Sequence, residues 1–327
     1  MAFDKLDIDT LDKAITTPTA QTLRASVECI GIGLHSGQDV TLRIHPAAAG
    51  TGILFRRQDL LASSTVDAQS SGLERVSISA HPNAVTTTTL GTVIANRHEV
   101  SVATIEHIMS AFAGVGIDHA IVEVNGPEIP IMDGSARPFV ELLETVGVRP
   151  LPAPHKVLKL MAPVRISKGD SFIEAVPLGP EAPLSPQYDV TVSFDDAAIG
   201  EQRLILDNPA DYRSMISGAR TFCYLKDVEA MRAKGLALGG SFENAVVVDD
   251  GTILNKEGLR ADNEFVAHKT LDLIGDLYLL GAPLAAKITA YKPGHEINTQ
   301  FAQAVISRGA ARWVRAEMHR EAARVLA

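Results

Sequence analysis

Apolar positions along this chain recur first every second residue and then every third or fourth, and this change of period happens twice. From Thr22 the segment LRASVECIGIGLH, the polar turn SGQ and DVTLRIHPA read as two strands joined around Ser36 and Gly37. Further strand-like pieces follow at 52–55, 76–79, 86–94 and 99–100, with a polar insertion at 58–72 between the first two. Ile105, Ile108, Met109 and Phe112 then fall at helical spacing, with Gly114 as the stop, before a strand at 119–124 and a second helix at 137–146. Pro150, Pro152 and Pro154 mark a stiff connection and a domain boundary.

The second half repeats the plan. Strands are expected at 157–160, 172–176, 190–194, 203–206, 246–248 and 286–291, and helices at 262–280 and 297–307. Both halves are thus several strands followed by helix, strand, helix. The expected fold class is α+β, with a leader at 1–21, two similar domains at 22–150 and 155–310, and a helical tail at 311–327. A sheet with one helical layer leaves a face in need of a partner, so the helices of the two domains should face one another and a site should lie between them.

The segment DNEFVAHKTLDLIGDLYLL, residues 262–280, organises the rest. At 100° per residue Val266, Leu273, Ile274, Leu277 and Leu280 share one arc, while His268, Asp272 and Asp276 fall within about 80° of each other on the opposite side. Asp262 or Asn263 can cap its start, and Gly281 with Pro283 supplies the stop.

Composition narrows the setting. A chain of 327 residues, 46% hydrophobic and 21% charged, suits globular domains with sizeable cores. A formal net charge of −9 argues against nucleic-acid binding through a basic surface and leaves room only for a local basic patch, as for a phosphorylated small molecule. The first residues carry acids and no apolar segment of the signal-peptide kind, and no apolar run reaches the ~18 residues of a membrane span, so a cytoplasmic protein is expected. Cys29 and Cys223 fit reduced thiols rather than a disulfide or metal ligands. The segment GIGLHSG, whose closely spaced glycines flank Leu34 and His35, lacks the following helix that a nucleotide-binding loop requires and fits a hairpin.

His268 and Asp272, one helical turn apart, can reach one point above their helix, which is the geometry of two metal ligands. The duplication directs the search for a third. His107, in TIEH of the first-half helix, occupies the corresponding place and completes a His, His, Asp set with a fourth position open for water. Glu106 beside it is the candidate to take a proton from that water. His295, in the loop KPGHEIN, is the remaining titratable candidate, and Asp276 could hold it as an imidazolium near a developing oxyanion.

The motifs TIEH (104–107), EVNGPEIPIMDGSA (123–136), ARTF (219–222), GGSFENAVVVDD (239–250), EFVAHKTLDLIGD (264–276) and AYKPGHEIN (290–298) closely resemble those of the UDP-3-O-acyl-N-acetylglucosamine deacetylase family, from about Thr22 to about Ala310. That family consists of zinc amidases that commit Gram-negative bacteria to lipid A synthesis. The resemblance implies four helices sandwiched between two sheets. By motif it makes His107, His268 and Asp272 zinc ligands, Glu106 the general base, His295 the general acid supported by Asp276, and Thr221 a donor to the tetrahedral oxyanion. Lys269 would meet the phosphate-bearing part of the substrate, while Phe222 and Leu34 would line the approach. The insert between Cys223 and Ser241, with Leu225, Met231, Leu236 and Leu238, resembles the family's passage for an acyl chain. The chain departs from the family in TTTTLGT (86–92), where a cysteine is often found, so no inhibitory metal ligand is expected there.

The function implied is hydrolysis of the N-acetyl group of UDP-3-O-acyl-N-acetylglucosamine, with a cytoplasmic monomer expected. The nitrogen and oxygen ligands suit Zn2+ and would also accept Fe2+. Two alternatives stand beside it: a zinc amidase for another acylated amino sugar, and an inactive nucleotide-sugar binding protein.

Overall fold

The computed structural model describes residues 18–63 and 70–316. Each half of the chain is built on a five-stranded sheet. In the first the order is Val27–Ile32, Asp39–Pro46, Ala120–Val124, Ile53–Arg57, Ser77–Ser79. In the second it is Val164–Lys168, Ser171–Val176, Lys287–Tyr291, Gln187–Ser193, Glu201–Leu206. The pairing is the same in both. The centre strand runs antiparallel to the neighbour from the opening hairpin and parallel to the other, and the outer pairs are antiparallel. Alternation selects the buried face: Val40, Leu42 and Ile44 point inward from one sheet, and Tyr188, Val190 and Val192 from the other.

Four helices fill the space between the sheets. α1 (Glu106–Val115) and α2 (Arg137–Val146) flank the centre strand of the first sheet in sequence; α3 (Glu264–Tyr278) and α4 (His295–Ser307) flank that of the second. α2 packs against Val27–Ile32, α3 against Gln187–Ser193 and Glu201–Leu206, α4 against Val164–Lys168 and Ser171–Val176, and α1 against α3. The α+β sandwich expected from the sequence is therefore present. All of α3 except Lys269 is buried. Its apolar arc lies on the second sheet, and the arc of His268, Asp272 and Asp276 faces α1 instead of solvent. This crossing is close because residue 275 is glycine: a Cβ there would sit 2.0 Å from the Glu106 carbonyl oxygen.

Several expectations need correction. α1 continues through Gly114, whose Cβ would collide with the Tyr212 ring at 2.1 Å, and ends at Gly116 in a left-handed cap with φ 80°. Asn263 holds the N-cap position of α3, yet its side chain makes no capping hydrogen bond. Residues 311–315 of the expected helical tail form a strand, Ala311–Arg315, antiparallel to Lys156–Leu160, because that strand has a free edge whose backbone groups need partners. Residues 317–327 lie outside the described residues. Order also begins before residue 22, since Thr19–Leu23 pairs with Val148–Pro154, the proline-rich connection itself; the leader before residue 18 lies outside the described residues. The insertion at 58–72 carries short helices at its ends, Gln58–Ser63 and Ser70–Val76, and the expected strand at 86–94 is two strands, Val85–Thr87 and Val93–Ala95. Among the described residues no helix is long and apolar enough to cross a membrane.

Candidate active site

The α1–α3 crossing brings His107, His268 and Asp272 together, all buried, with ligand atoms within 4.8 Å of one another. Asp272 Oδ1 lies 3.7 Å from His107 Nε2 and 3.4 Å from His268 Nε2. His268 Nδ1 faces the Ala219 carbonyl oxygen at 3.1 Å, so it carries the proton and leaves the Nε2 lone pair directed at the cluster. Among the described residues Asp272 Oδ1 has no hydrogen-bond partner, although it is fully buried. A buried acceptor in that state is costly unless a cation completes it.

The protonation states fit the same requirement. Burial, with His268 beside it, pulls His107 down to about 3, and burial also lowers His268. Burial would raise Asp272, but the surrounding groups outweigh it and pull the carboxyl down; with both ligand imidazoles neutral, the cations that keep it ionised are Lys269 and His295. Two neutral imidazoles and one carboxylate are the protonation states that bind a divalent transition metal.

Glu106 opens α1 beside His107. Burial is the largest influence on its carboxyl, which is pushed up to about 7. Its Oε1 lies 3.9 Å from His295 Nε2. The loop position expected for His295 needs correction: it is the first residue of α4, directly after Pro293 and Gly294. Its Nδ1 lies 2.9 Å from Asp276 Oδ2, which also accepts from Asn298 Nδ2 at 2.8 Å. Burial would lower His295, but Asp276 and Glu106 outweigh it and raise the imidazole to about 9. At neutral pH the site thus holds a carboxyl near its midpoint beside a charged imidazolium.

Each residue of the ARTF motif has a separate place. The Ala219 carbonyl orients His268. Arg220 is almost fully buried and grips Glu264 at the start of α3 through Nε at 2.8 Å and Nη2 at 3.1 Å, while Nη2 also donates to the Gly258 carbonyl. Thr221 is pinned by its backbone, donating to Gly134 O and accepting from Val246 N, both at 2.8 Å. Phe222 stacks edge-on against His268 and Phe265. Lys269 reaches Asp272 Oδ2 at 2.7 Å.

A cavity of about 540 Å³ opens from this cluster. Leu34, Thr221, Phe222 and Lys269 line it, and Leu225 and Met231 continue it along the short helix Leu225–Ala233. Leu236 and Leu238 are not on its wall; Ala237 is, and Leu238 is 52% exposed beside the hairpin tip at Gly37. Sequence reasoning passed over three supports of this site: Arg220, Asn298 and Glu128. The Glu128 carboxylate accepts from the backbone N–H of His35 and Ser36 at 3.0 and 2.8 Å and so fixes the hairpin that presents Leu34. The available signal was the placing of charged residues inside otherwise apolar motifs, ARTF and GPEIPI.

A family profile described as "LpxC: UDP-3-O-acyl N-acetylglycosamine deacetylase" matches residues 20–307. The chain is 45% identical over 290 residues to a UDP-3-O-acyl-N-acetylglucosamine deacetylase of Photobacterium profundum, a stretch covering 88% of this chain and 90% of the relative. Proteins of the same name from Vibrio cholerae serotype O1 and Aliivibrio fischeri are 44% and 42% identical, again over 88% of this chain and 90% of each relative. With its motifs, its fold and its buried His, His, Asp cluster in agreement, the chain belongs to the LpxC family of UDP-3-O-acyl N-acetylglycosamine deacetylases.

Proposed function

We propose that the protein hydrolyses the acetamide of UDP-3-O-acyl-N-acetylglucosamine to acetate and the free 2-amine, with a divalent metal, Zn2+ by ligand type, held by His107, His268 and Asp272. The observation that carries this reading is the buried, unpaired Asp272 oxygen between two imidazole nitrogens, with Glu106 and His295 beside it at the inner end of an apolar cavity. When bound, the metal supplies Lewis acidity and makes a water molecule more acidic.

The chain's own residues do the rest. Glu106, with a carboxyl poised near neutrality, takes a proton from the attacking water as the water oxygen bonds to the amide carbon. The charge that develops on the carbonyl oxygen is met by the His295 imidazolium and the Thr221 hydroxyl. As the carbon–nitrogen bond breaks, the amine takes a proton from His295, whose Nδ1 remains on Asp276. Leu225, Met231 and Phe222 shelter the acyl chain from water. The ammonium of Lys269 is a positive group on the cavity wall suited to the phosphate-bearing part of the substrate.

The test is acetate release by metal-stripped full-length protein before and after one equivalent of Zn2+, beside Glu106→Gln. Activity should appear with zinc, and Glu106→Gln should keep its zinc and lose at least about a hundredfold in kcat. Folded, zinc-loaded protein that binds the substrate without releasing acetate would overturn the reading, as would wild-type turnover by Glu106→Gln.

A further inference from the structure

Thr92 is fully buried and ends the threonine-rich stretch that showed no chemistry in the sequence. It touches both titratable partners of the site at once. Its backbone N–H donates to Glu106 Oε2 at 3.0 Å. Its hydroxyl donates to Asp276 Oδ1 at 2.6 Å, and the same oxygen lies 3.3 Å from His295 Nδ1. Its carbonyl accepts from Ile105 N, the residue before α1, at 3.4 Å.

Proton bookkeeping makes these contacts directional. Both carboxylate oxygens of Asp276 act as acceptors, Oδ2 from Asn298 Nδ2 and Oδ1 from Thr92 Oγ1, so the single hydroxyl proton of Thr92 goes to Asp276. The hydroxyl oxygen then offers a lone pair to His295 Nδ1, which must carry a proton to satisfy both Thr92 Oγ1 and Asp276 Oδ2. That leaves the Nε2 side of His295 facing Glu106 and Asp272, at 3.9 and 4.0 Å. The turn before Thr92 is shaped for this reach. Leu90 has φ 62° and Gly91 φ 144°, and a Cβ at Gly91 would come within 3.0 Å of Glu106 Oε1.

We infer that Thr92 is a positioning residue for the deacetylation proposed above, joining the base carboxylate to the His295–Asp276 pair and fixing the imidazole with its Nδ1 proton turned away from the substrate. The inference rests on the roles proposed for Glu106 and His295. Substrate need not touch Thr92. The residue acts through the two side chains it orients, so its loss should appear in kcat and not in KM or metal content.

Side-chain variants separate the hydroxyl from the backbone contact, which they leave in place. In the zinc-loaded full chain, Thr92→Val should lower kcat about tenfold, the worth of one charge-assisted hydrogen bond, with KM and zinc content near wild type. Thr92→Ser should restore most of the rate. On an Asp276→Ala background, which removes the acceptor of the Thr92 hydroxyl, Thr92→Val should cost less than about twofold, because the partner through which it acts is gone. Should valine destabilise the fold, Thr92→Ala is read in the same way. The downfield proton NMR signal of His295 Nδ1–H gives a readout independent of turnover: it should shift in Thr92→Val and persist in Thr92→Ser. Wild-type kcat and an unmoved signal in Thr92→Val, or a full independent loss on the Asp276→Ala background, would overturn the inference. Absence of acetate release from wild-type protein would instead refute the functional reading, and the NMR comparison would still decide whether Thr92 orients His295.

Discussion

Replacing Gly275 by alanine adds one carbon at the point where α1 and α3 are in closest contact. The new Cβ would lie 2.0 Å from Glu106 O, 2.9 Å from Glu106 C and 3.1 Å from Ser110 N. A carbon and a carbonyl oxygen rest at about 3.3 Å or more, so the helices must separate by about 1 Å at this point. The fold should tolerate that, as overpacking of this kind costs on the order of 1–3 kcal/mol. The site should not. Glu106 and His107 ride on α1 while His268, Asp272 and Asp276 ride on α3, and metal ligands must hold their distances to about 0.2 Å. We expect Gly275→Ala to keep its fold with a modest fall in Tm, to bind zinc at least about tenfold more weakly in competition with a chromophoric chelator, and to lose about a hundredfold in kcat at saturating zinc. Gly179→Ala, where an added Cβ meets nothing within 4 Å, is the control. A Gly275→Ala protein with wild-type zinc affinity and turnover would refute the claim that this crossing sets the ligand geometry.

Two further outcomes follow from contacts around the site. Asp276 is the largest of the influences that raise the His295 imidazole to about 9. The imidazolium is lost as pH rises through that value, so Asp276→Asn should move the alkaline limb of the kcat profile to lower pH; an unmoved limb would remove His295 from the proton-donating role. Arg220→Met leaves the buried Glu264 carboxylate without its bidentate partner and should destabilise the protein by about 3–5 kcal/mol in denaturant titrations, with Arg220→Lys a poor rescue because one ammonium cannot span both carboxylate oxygens and the Gly258 carbonyl. Unchanged unfolding midpoints in both would show that the grip is not structural.

The parts of this site that could be read from sequence are those whose spacing is itself geometric. His268 and Asp272 are four apart on one helix, and the repeated strand and helix pattern pointed to α1 for the third member. Thr92, Arg220 and Glu128 work through contacts with distant backbone and side chains, which no local period records. In a run of four threonines followed by LGT, nothing in residue type separates the one that reaches Asp276 from those on the surface; the turn at Leu90 and Gly91 does that. The strand Ala311–Arg315 was hidden for a similar reason, since its state is decided by the open edge of Lys156–Leu160. His295 reads as a loop residue beside Pro293 and Gly294, yet the helix starts at His295 itself. Helix ends are where local signals are weakest.

The centre strand of each sheet is a latecomer in the chain. Ile53–Arg57 must wait for Ala120–Val124, and Gln187–Ser193 must wait for Lys287–Tyr291, before either has its parallel neighbour. During synthesis the second sheet therefore remains split into two hairpins until Tyr291 has emerged, and His295 follows only after its centre strand is made. Pairings so distant in sequence are slow to form and leave strand edges open in the meantime. Catalytic competence is then acquired only after both sheets have closed.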